Sequence, residues 1–122
     1  MPRTVVLEHT LPDGSVHFDW MIETPDRADE RRLATWRLPG WRPDFTELAG
    51  ERIGDHRAVY LHYEGPVSGG RGRVRRVAAG EVVGLELSAD AARFEIRWDG
   101  RAEPARYTGE GGPGGAWLFR PA

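Results

Sequence analysis

The sequence predicts a mostly β fold, an antiparallel meander or barrel with at most one or two short helices. Short segments that are apolar and β-branched, or that alternate between apolar and polar residues, recur along the whole chain. Gly, Pro and Asp separate these segments, as expected for turns between strands. The 122 residues contain no repeat and no linker, so residues 1–122 are expected to form one domain with a modest core.

Each predicted strand is a run of such residues between two turn signals. The strands are expected at residues 4–10, 15–23, 32–38, 56–63, 73–78, 81–87, 93–99 and 116–120. One short helix is expected at residues 44–49, where Asp44 can cap the N-terminus and Glu47 follows three residues later. Residues 109–115 are rich in glycine but lack the Lys-Ser/Thr of a phosphate-binding loop, so we expect a flexible loop there.

Composition narrows the classes of function. The chain has no cysteine, which excludes disulfides, Cys-ligated zinc and thiol catalysis. A net charge of −2 argues against a protein that coats nucleic acid, but it allows an enzyme that binds one nucleic-acid end through a local group of arginines. No apolar run approaches the roughly 20 residues of a membrane span. The first residues lack the apolar core of a signal peptide, so we expect a cytoplasmic protein without a membrane partner.

The first two predicted strands are joined by a turn whose residues predict its geometry. Pro12 presets φ for the second position of a type I turn, and Gly14 supplies the left-handed residue that follows. The expected result is a three-residue loop closed by a bulge, which places His9 opposite His17. A two-residue loop would instead place His9 opposite Phe18.

Alternation along the second strand divides its side chains between two faces. One face is predicted to be core and consists of Val16, Phe18, Trp20 and Ile22. The other face consists of His17, Asp19, Met21 and Glu23. Together with the turn, this pattern brings His9, His17 and Asp19 close to one another. Two imidazoles and a carboxylate with open coordination positions suit a catalytic divalent cation such as Mn²⁺ or Zn²⁺. The alternative is that these are three polar side chains on a solvated hairpin face.

Four blocks of the sequence resemble the 3′-phosphoesterase domain of bacterial DNA ligase D. That family reads approximately V-x-x-H, a short loop, L-H-Y-D-F-R-L-E, then S-W-A-V-P-K-G-P and D-H-P-x-x-Y-x-x-F-E-G. The blocks here keep that order over residues 5–72, and a weaker match to R-W-x-L-x-R follows near the end of the chain. The four blocks are Val6-Leu7-Glu8-His9, Val16-His17-Phe18-Asp19-Trp20-Met21-Ile22-Glu23, Thr35-Trp36-Arg37-Leu38-Pro39-Gly40-Trp41 and Asp55-His56-Arg57-Ala58-Val59-Tyr60-Leu61-His62-Tyr63-Glu64-Gly65. The weaker match is Trp117-Leu118-Phe119-Arg120.

The resemblance implies a compact antiparallel β-barrel with a groove on one side. It implies that a metal, most simply Mn²⁺, binds to His9, His17 and Asp19. His56 matches the family's phosphate-contacting histidine, and supporting roles are implied for Tyr60 and Glu64. We also expect Glu23 to orient an imidazole, because it shares the face of His17. His62 is expected to be a surface or packing residue.

The sequence departs from the family at its phosphate clamp. The family has an arginine two residues after the aspartate of the second strand, and Met21 stands there in this chain. A thioether cannot hold phosphate oxygens, so another arginine would have to compensate. Of the candidates Arg37, Arg42, Arg57 and Arg71, we favour Arg71 in the glycine-rich stretch 68–72, or Arg37. The family's N-terminal arm has no counterpart before the first block.

Three hypotheses of function follow. The first is a metal-dependent phosphoesterase that removes a 3′-phosphate or a 3′-ribonucleotide during DNA end repair, with DNA or RNA–DNA 3′ ends as ligands and a separate ligase or polymerase of end joining as a possible partner. The second is a non-catalytic module that binds a metal or a nucleic-acid end. The third is a barrel that binds a small apolar ligand in a cavity lined by Trp20, Trp36, Trp41 and Trp98.

Overall fold

The structure is a computed structural model that describes residues 2–25 and 27–122, and it consists mainly of antiparallel strands. The strands are β1 (Arg3–Thr10), β2 (Val16–Glu23), β3 (Leu33–Leu38), β4 (Leu48–His56), β5 (Gly65–Pro66), β6 (Arg73–Leu87), β7 (Ala91–Trp98), β8 (Ala105–Gly111) and β9 (Ala116–Pro121). Two 3₁₀ turns, Ala58–Leu61 and Pro113–Gly115, are the helical elements of the described chain. No helix in this part of the chain combines the length and the apolar character that crossing a bilayer requires.

Eight of the strands close into a barrel, which confirms the predicted fold class. The order around the barrel is β1-β2-β3-β4-β9-β8-β7-β6, and β6 pairs again with β1. The barrel therefore consists of two four-stranded meanders, β1–β4 and β6–β9, that join at both edges. The short β5 adds to β6 beyond the closed ring. Closure gives all eight strands two neighbours, so their backbone N–H and C=O groups find partners within the sheet.

The two strands predicted at residues 73–78 and 81–87 form one continuous strand, β6. Its first half pairs with β1, from Arg73 opposite Thr10 to Glu81 opposite Arg3. Its second half pairs with β7, from Gly80 opposite Trp98 onward. The residues between the two predicted strands, Ala79 and Gly80, lie within this continuous 15-residue strand. A long bent strand that changes partners allows a small sheet to curl into a barrel.

The interior of the barrel is packed with aromatic rings. Trp20 lies at its centre with no exposed surface, and its ring centroid lies 5.0 Å from that of Phe119 and 5.6 Å from that of Phe94. Its indole N–H donates to the hydroxyl of buried Thr4 at 3.0 Å, and that hydroxyl donates to the carbonyl of Met21 at 2.7 Å. These rings pack against each other as core residues, not as the walls of a ligand cavity, which argues against the small-ligand hypothesis.

A second hydrophobic cluster covers part of the barrel's outer surface. We call it the outer cluster, and its buried members are Val5, Leu7, Met21, Leu33, Leu61 and Val74. Four strands contribute its barrel side, and Leu61 comes from residues 57–72, which we call the covering segment. The polar face predicted for β2 is thus buried at Met21, which is 1% exposed. The first two strands are consequently packed on both faces over part of their length.

Two of the elements predicted after β3 are wrong. The helix expected at residues 44–49 does not form, because Leu48 begins β4 and pairs with Phe119 of β9. The strand expected at residues 56–63 ends at its first residue, His56, and continues as a 3₁₀ turn. There the apolar side chain of Leu61 packs into the outer cluster, and alternation cannot distinguish this packing from that of a strand.

The loop expected at residues 109–115 is also partly wrong. Gly109 and Gly111 belong to strand β8, which the sequence did not predict. A Cβ on Gly109 would lie 2.6 Å from the ring of Phe119, and one on Gly111 would lie 2.7 Å from the ring of Trp117. Glycine is present here because large rings lie across the strand, and this interaction cannot be inferred from local sequence.

We predict that Leu61→Ala lowers the free energy of unfolding by about 2–4 kcal/mol, because it removes a buried side chain that attaches the covering segment to the barrel. Chemical denaturation measures this change. The matched control is Val59→Ala in the same 3₁₀ turn, where the side chain is 54% exposed and the expected change is below about 0.5 kcal/mol. Equal losses in the two variants would contradict the packing described here.

Candidate metal centre

The first hairpin forms with the predicted turn and register. The Leu11 N–H donates to the Ser15 carbonyl at 2.8 Å, and Gly14 adopts φ +88°. Strands β1 and β2 then pair with His9 directly opposite His17. Asp19 follows two residues after His17 and therefore lies on the same face of β2. Local turn chemistry thus brings two imidazoles and one carboxylate together.

Three candidate ligand side chains converge at this point, as predicted. His9 Nδ1 lies 3.2 Å from His17 Nε2, and His17 Nε2 lies 3.3 Å from Asp19 Oδ1. His9 Nδ1 lies 3.7 Å from Asp19 Oδ2. Two nitrogen ligands of one ion, each about 2.1 Å from it, are separated by roughly 3.0–3.4 Å at octahedral or tetrahedral angles. The spacing of the side chains therefore matches a common cation without rearrangement of the backbone.

The orientation of His9 is determined by its second ring nitrogen. Nε2 lies 2.7 Å from the backbone carbonyl oxygen of Arg71. A carbonyl can only accept a hydrogen bond, so Nε2 carries the hydrogen. In the neutral imidazole, Nδ1 then carries the lone pair, which can accept a hydrogen bond from His17 Nε2 and also faces Asp19. Histidine ligands of metals commonly donate from the far nitrogen to a carbonyl in this way.

The carboxylate of Asp19 is the clearest indication that these residues fit a cation. Its side chain is 5% exposed, and Oδ1 has no hydrogen-bond partner among residues 2–25 and 27–122. A buried carboxylate oxygen without a donor is costly, and a divalent cation between the three side chains would remove that cost.

Burial also keeps His17 in the form that binds a metal. Burial lowers the pKa of this imidazole from its ordinary value of about 6.5, and the positive charge of Arg37 contributes to the decrease. The Asp19 carboxylate acts in the opposite direction without reversing the shift. His17 is therefore neutral at pH 7, and a neutral imidazole is the state that can donate a lone pair to a cation.

A cleft of about 710 Å³ opens beside the three ligands, between the barrel and the covering segment. Four arginines line it, and within the described chain none of them forms an ion pair with a carboxylate: Arg31, Arg37, Arg57 and Arg71. Asp55 also lines the cleft, but two arginines outside it already neutralise this carboxylate. The cleft is therefore a positively charged region next to the candidate metal centre, which suits an anionic ligand.

The two arginines favoured as phosphate clamps both reach this cleft. Arg37 is the cross-strand partner of Asp19, which places it on the same face as the metal ligands. The guanidinium of Arg71 donates to the carbonyl of Ser68 at 2.7 Å and to its hydroxyl at 3.1 Å, so it is held at the rim. Arg42 lies away from the cleft, where it is 78% exposed and paired with Asp44.

His56 lines the same cleft, at the end of β4. Its Nδ1 lies 2.8 Å from the Gly54 carbonyl oxygen, so Nδ1 carries a hydrogen and Nε2 is the nitrogen left for a ligand. Tyr60 lies beside it, with ring centroids 5.8 Å apart and an edge-on orientation. The structure thus brings His56 and Tyr60 together at the wall of the cleft.

Two residues expected to support the site perform other tasks. Glu23 accepts hydrogen bonds from the backbone N–H of Arg3 at 3.0 Å and from Arg32 Nε at 2.8 Å, so its carboxylate is engaged away from the imidazoles. The expectation that it orients an imidazole is wrong, because both carboxylate oxygens are engaged by Arg3 and Arg32, and His17 lies six positions earlier along β2. Glu64 accepts from the backbone N–H of Arg76 at 2.9 Å and joins the covering segment to β6.

Sequence reasoning missed Arg31 as a cleft residue. The Glu30 carbonyl accepts from the Ala58 N–H at 2.8 Å, and this bond brings the start of β3 to the start of the covering segment. Arg31 and Arg57 therefore reach the same cleft from distant parts of the sequence. The pairing of Leu33 with His56 would have predicted this arrangement, but it required prior recognition of β4.

We predict that, in the absence of divalent cations, the stability of the protein decreases as the pH falls below about 6.5. The pKa of His17 is lower in the folded state, so the unfolded chain binds a proton first and unfolding is favoured as the pH falls. Urea unfolding with a chelator at pH 7.5 and pH 5.5 measures the difference. His17→Gln should show a smaller difference than the wild type, and equal differences would contradict the assignment.

Comparison with known proteins provides no assignment for this chain. No model of a protein family matches the sequence. A search of curated proteins likewise finds no match. The residues of the chain itself form an antiparallel β-barrel with a His9, His17 and Asp19 group able to hold a metal ion.

Proposed function

We propose that this protein is a divalent-metal-dependent phosphoesterase that acts on the 3′ ends of nucleic acids. The observation that carries the proposal is the juxtaposition of the metal-ligand group with a cleft lined by four arginines that lack carboxylate partners in the described chain. A cation site that leaves coordination positions open, next to fixed positive charge, suits hydrolysis of a phosphate ester. The preferred cation is Mn²⁺, and Zn²⁺ or another divalent ion is the alternative.

The protein's own side chains have separable tasks in this reaction. His9, His17 and Asp19 hold the cation, which, when bound, supplies Lewis-acid polarisation of the phosphoryl group and promotes ionisation of water. Arg37 lies across from Asp19, where its guanidinium can bind phosphoryl oxygens. His56, when doubly protonated, presents an Nε2–H that can donate a proton to the departing 3′-oxygen. Water adds to phosphorus and loses a proton to solvent, the P–O bond to the 3′-oxygen breaks as that oxygen takes the proton of His56, and the products are inorganic phosphate and a 3′-hydroxyl end.

Two observations support a nucleic-acid end as the substrate. The cleft is open and cationic at a protein whose overall charge is −2, which favours binding of a local anionic group over coating of a polymer. The order of motif blocks over residues 5–72 resembles the phosphoesterase domain of DNA ligase D. On this proposal the ligands are DNA or RNA–DNA 3′ ends, and a separate ligase or polymerase would use the repaired end.

A second candidate function is a metal-dependent binding module without turnover. The observation that favours it is Met21, which occupies the position of the family's arginine and packs into the outer cluster. If Arg37 does not replace that arginine, the chain would bind a phosphorylated end but not hydrolyse it. The two functions share the metal centre and differ only in the release of phosphate.

We predict that the wild type binds Mn²⁺ and that His17→Ala weakens the affinity by at least about 10-fold, since it removes a ligand. Isothermal titration calorimetry measures the affinity. The matched control is His62→Ala, because His62 is exposed and lies outside the cleft. A wild type that does not bind Mn²⁺ or Zn²⁺ would overturn the metal centre and both candidate functions.

We predict release of phosphate from a 3′-phosphorylated primer–template, with a 5′-phosphorylated duplex as the control substrate. Arg37→Ala should lower the rate by about 100-fold or more, because a positive charge next to the reacting phosphoryl group is lost. Arg42→Ala, which removes an exposed arginine paired with Asp44, should leave the rate unchanged. Mn²⁺ binding without release of phosphate would support the binding module instead.

A further inference from the structure

We propose that Gly72 is a positioning residue for the metal centre, which acts on His9 through the backbone carbonyl of Arg71. This inference depends on the metal centre of the proposed function, but not on hydrolysis. The backbone of the glycine-rich stretch 68–72 would then orient a metal ligand, independently of the Arg71 side chain. The ligand it serves is the divalent cation held by His9, His17 and Asp19.

The first step is the contact between the stretch and the metal ligand. The Arg71 carbonyl oxygen lies 2.7 Å from His9 Nε2 and holds the hydrogen on that nitrogen. His9 therefore directs Nδ1, and not Nε2, at the other two ligands. A shift of this carbonyl by about an ångström would release the imidazole to rotate or to change tautomer.

The second step is the position of Gly72, which follows Arg71. It adopts φ +91°, and a Cβ on it would lie 2.0 Å from the Thr10 carbonyl oxygen and 3.0 Å from the Leu11 Cα. Thr10 and Leu11 follow His9 directly in β1 and the turn after it. Any side chain at position 72 would therefore separate the stretch from the strand that carries His9, and it would move the Arg71 carbonyl away from the imidazole.

The backbone that follows Gly72 is also fixed by hydrogen bonds. The Gly72 carbonyl accepts from the Val67 N–H at 2.8 Å, which closes the loop, and Arg73 then pairs with both Pro66 and Thr10. The loop cannot retreat without breaking these pairs. Gly72 thus lies between two fixed partners, and this explains how an exposed arginine can present its carbonyl at a constant position.

The Arg71 carbonyl can be displaced while the Arg71 side chain is kept. Gly72→Ala moves the carbonyl but retains the guanidinium, and it should weaken Mn²⁺ binding by about 10–100-fold in calorimetry. Gly70→Ala is the matched control, because Gly70 also has a positive φ, +66°, but has open space around it.

A spectroscopic readout distinguishes positioning from general damage to the fold. Nitrogen-15 NMR of the imidazoles should show His9 of the metal-free wild type protonated at Nε2, and Gly72→Ala should lose this preference. The proposal is overturned if wild-type His9 is protonated at Nδ1, if Gly72→Ala binds Mn²⁺ as the wild type does, or if Gly70→Ala weakens binding equally. Absence of hydrolysis would overturn only the proposed enzyme, whereas absence of Mn²⁺ binding by the wild type would overturn the shared metal centre.

Discussion

The pairing of β1 with both β2 and β6 is the interaction on which the rest of the structure depends. It joins the two meanders into a closed barrel, and it leaves β1 buried on both faces. Val6 points into the aromatic interior, whereas Val5 and Leu7 lie in the outer cluster. The same strand carries His9 one residue before its end at Thr10. A loss of this pairing would open the barrel and separate the candidate metal ligands at once.

The outer cluster links the stability of the barrel to the chemistry of the cleft. Leu61 packs the covering segment against Met21 and its neighbours, and this packing forms one wall of the cleft. The segment then supplies Tyr60, the Arg71 carbonyl and two of the four cleft arginines. Burial also affects the charged groups next to this cluster. It lowers the pKa of His17, and it leaves the Asp19 side chain only 5% exposed to solvent.

Met21 is a packing residue beside the candidate metal ligands. In this chain the position contributes to packing, so positive charge at the cleft has to come from other elements. Arg37 on β3 and Arg71 on the covering segment bring it from two sides. The proposed phosphoesterase would thus bind phosphate through arginines of β3 and of the covering segment. The binding module would hold the cation with the same three side chains but without turnover.

The sequence by itself determined the features that depend on neighbouring residues. The turn from Pro12 to Gly14 and the alternation of β2 were sufficient to place His9, His17 and Asp19 together, because backbone preferences and the pleat act over a few residues. Tertiary structure decided what depends on distant partners. Strands β4 and β8 contain polar residues and glycines with little strand signal, and they exist because β9 lies between them. The covering segment, the burial of Met21 and the convergence of Arg31 with Arg57 follow only when the barrel has closed, since each depends on a surface that the local sequence does not contain.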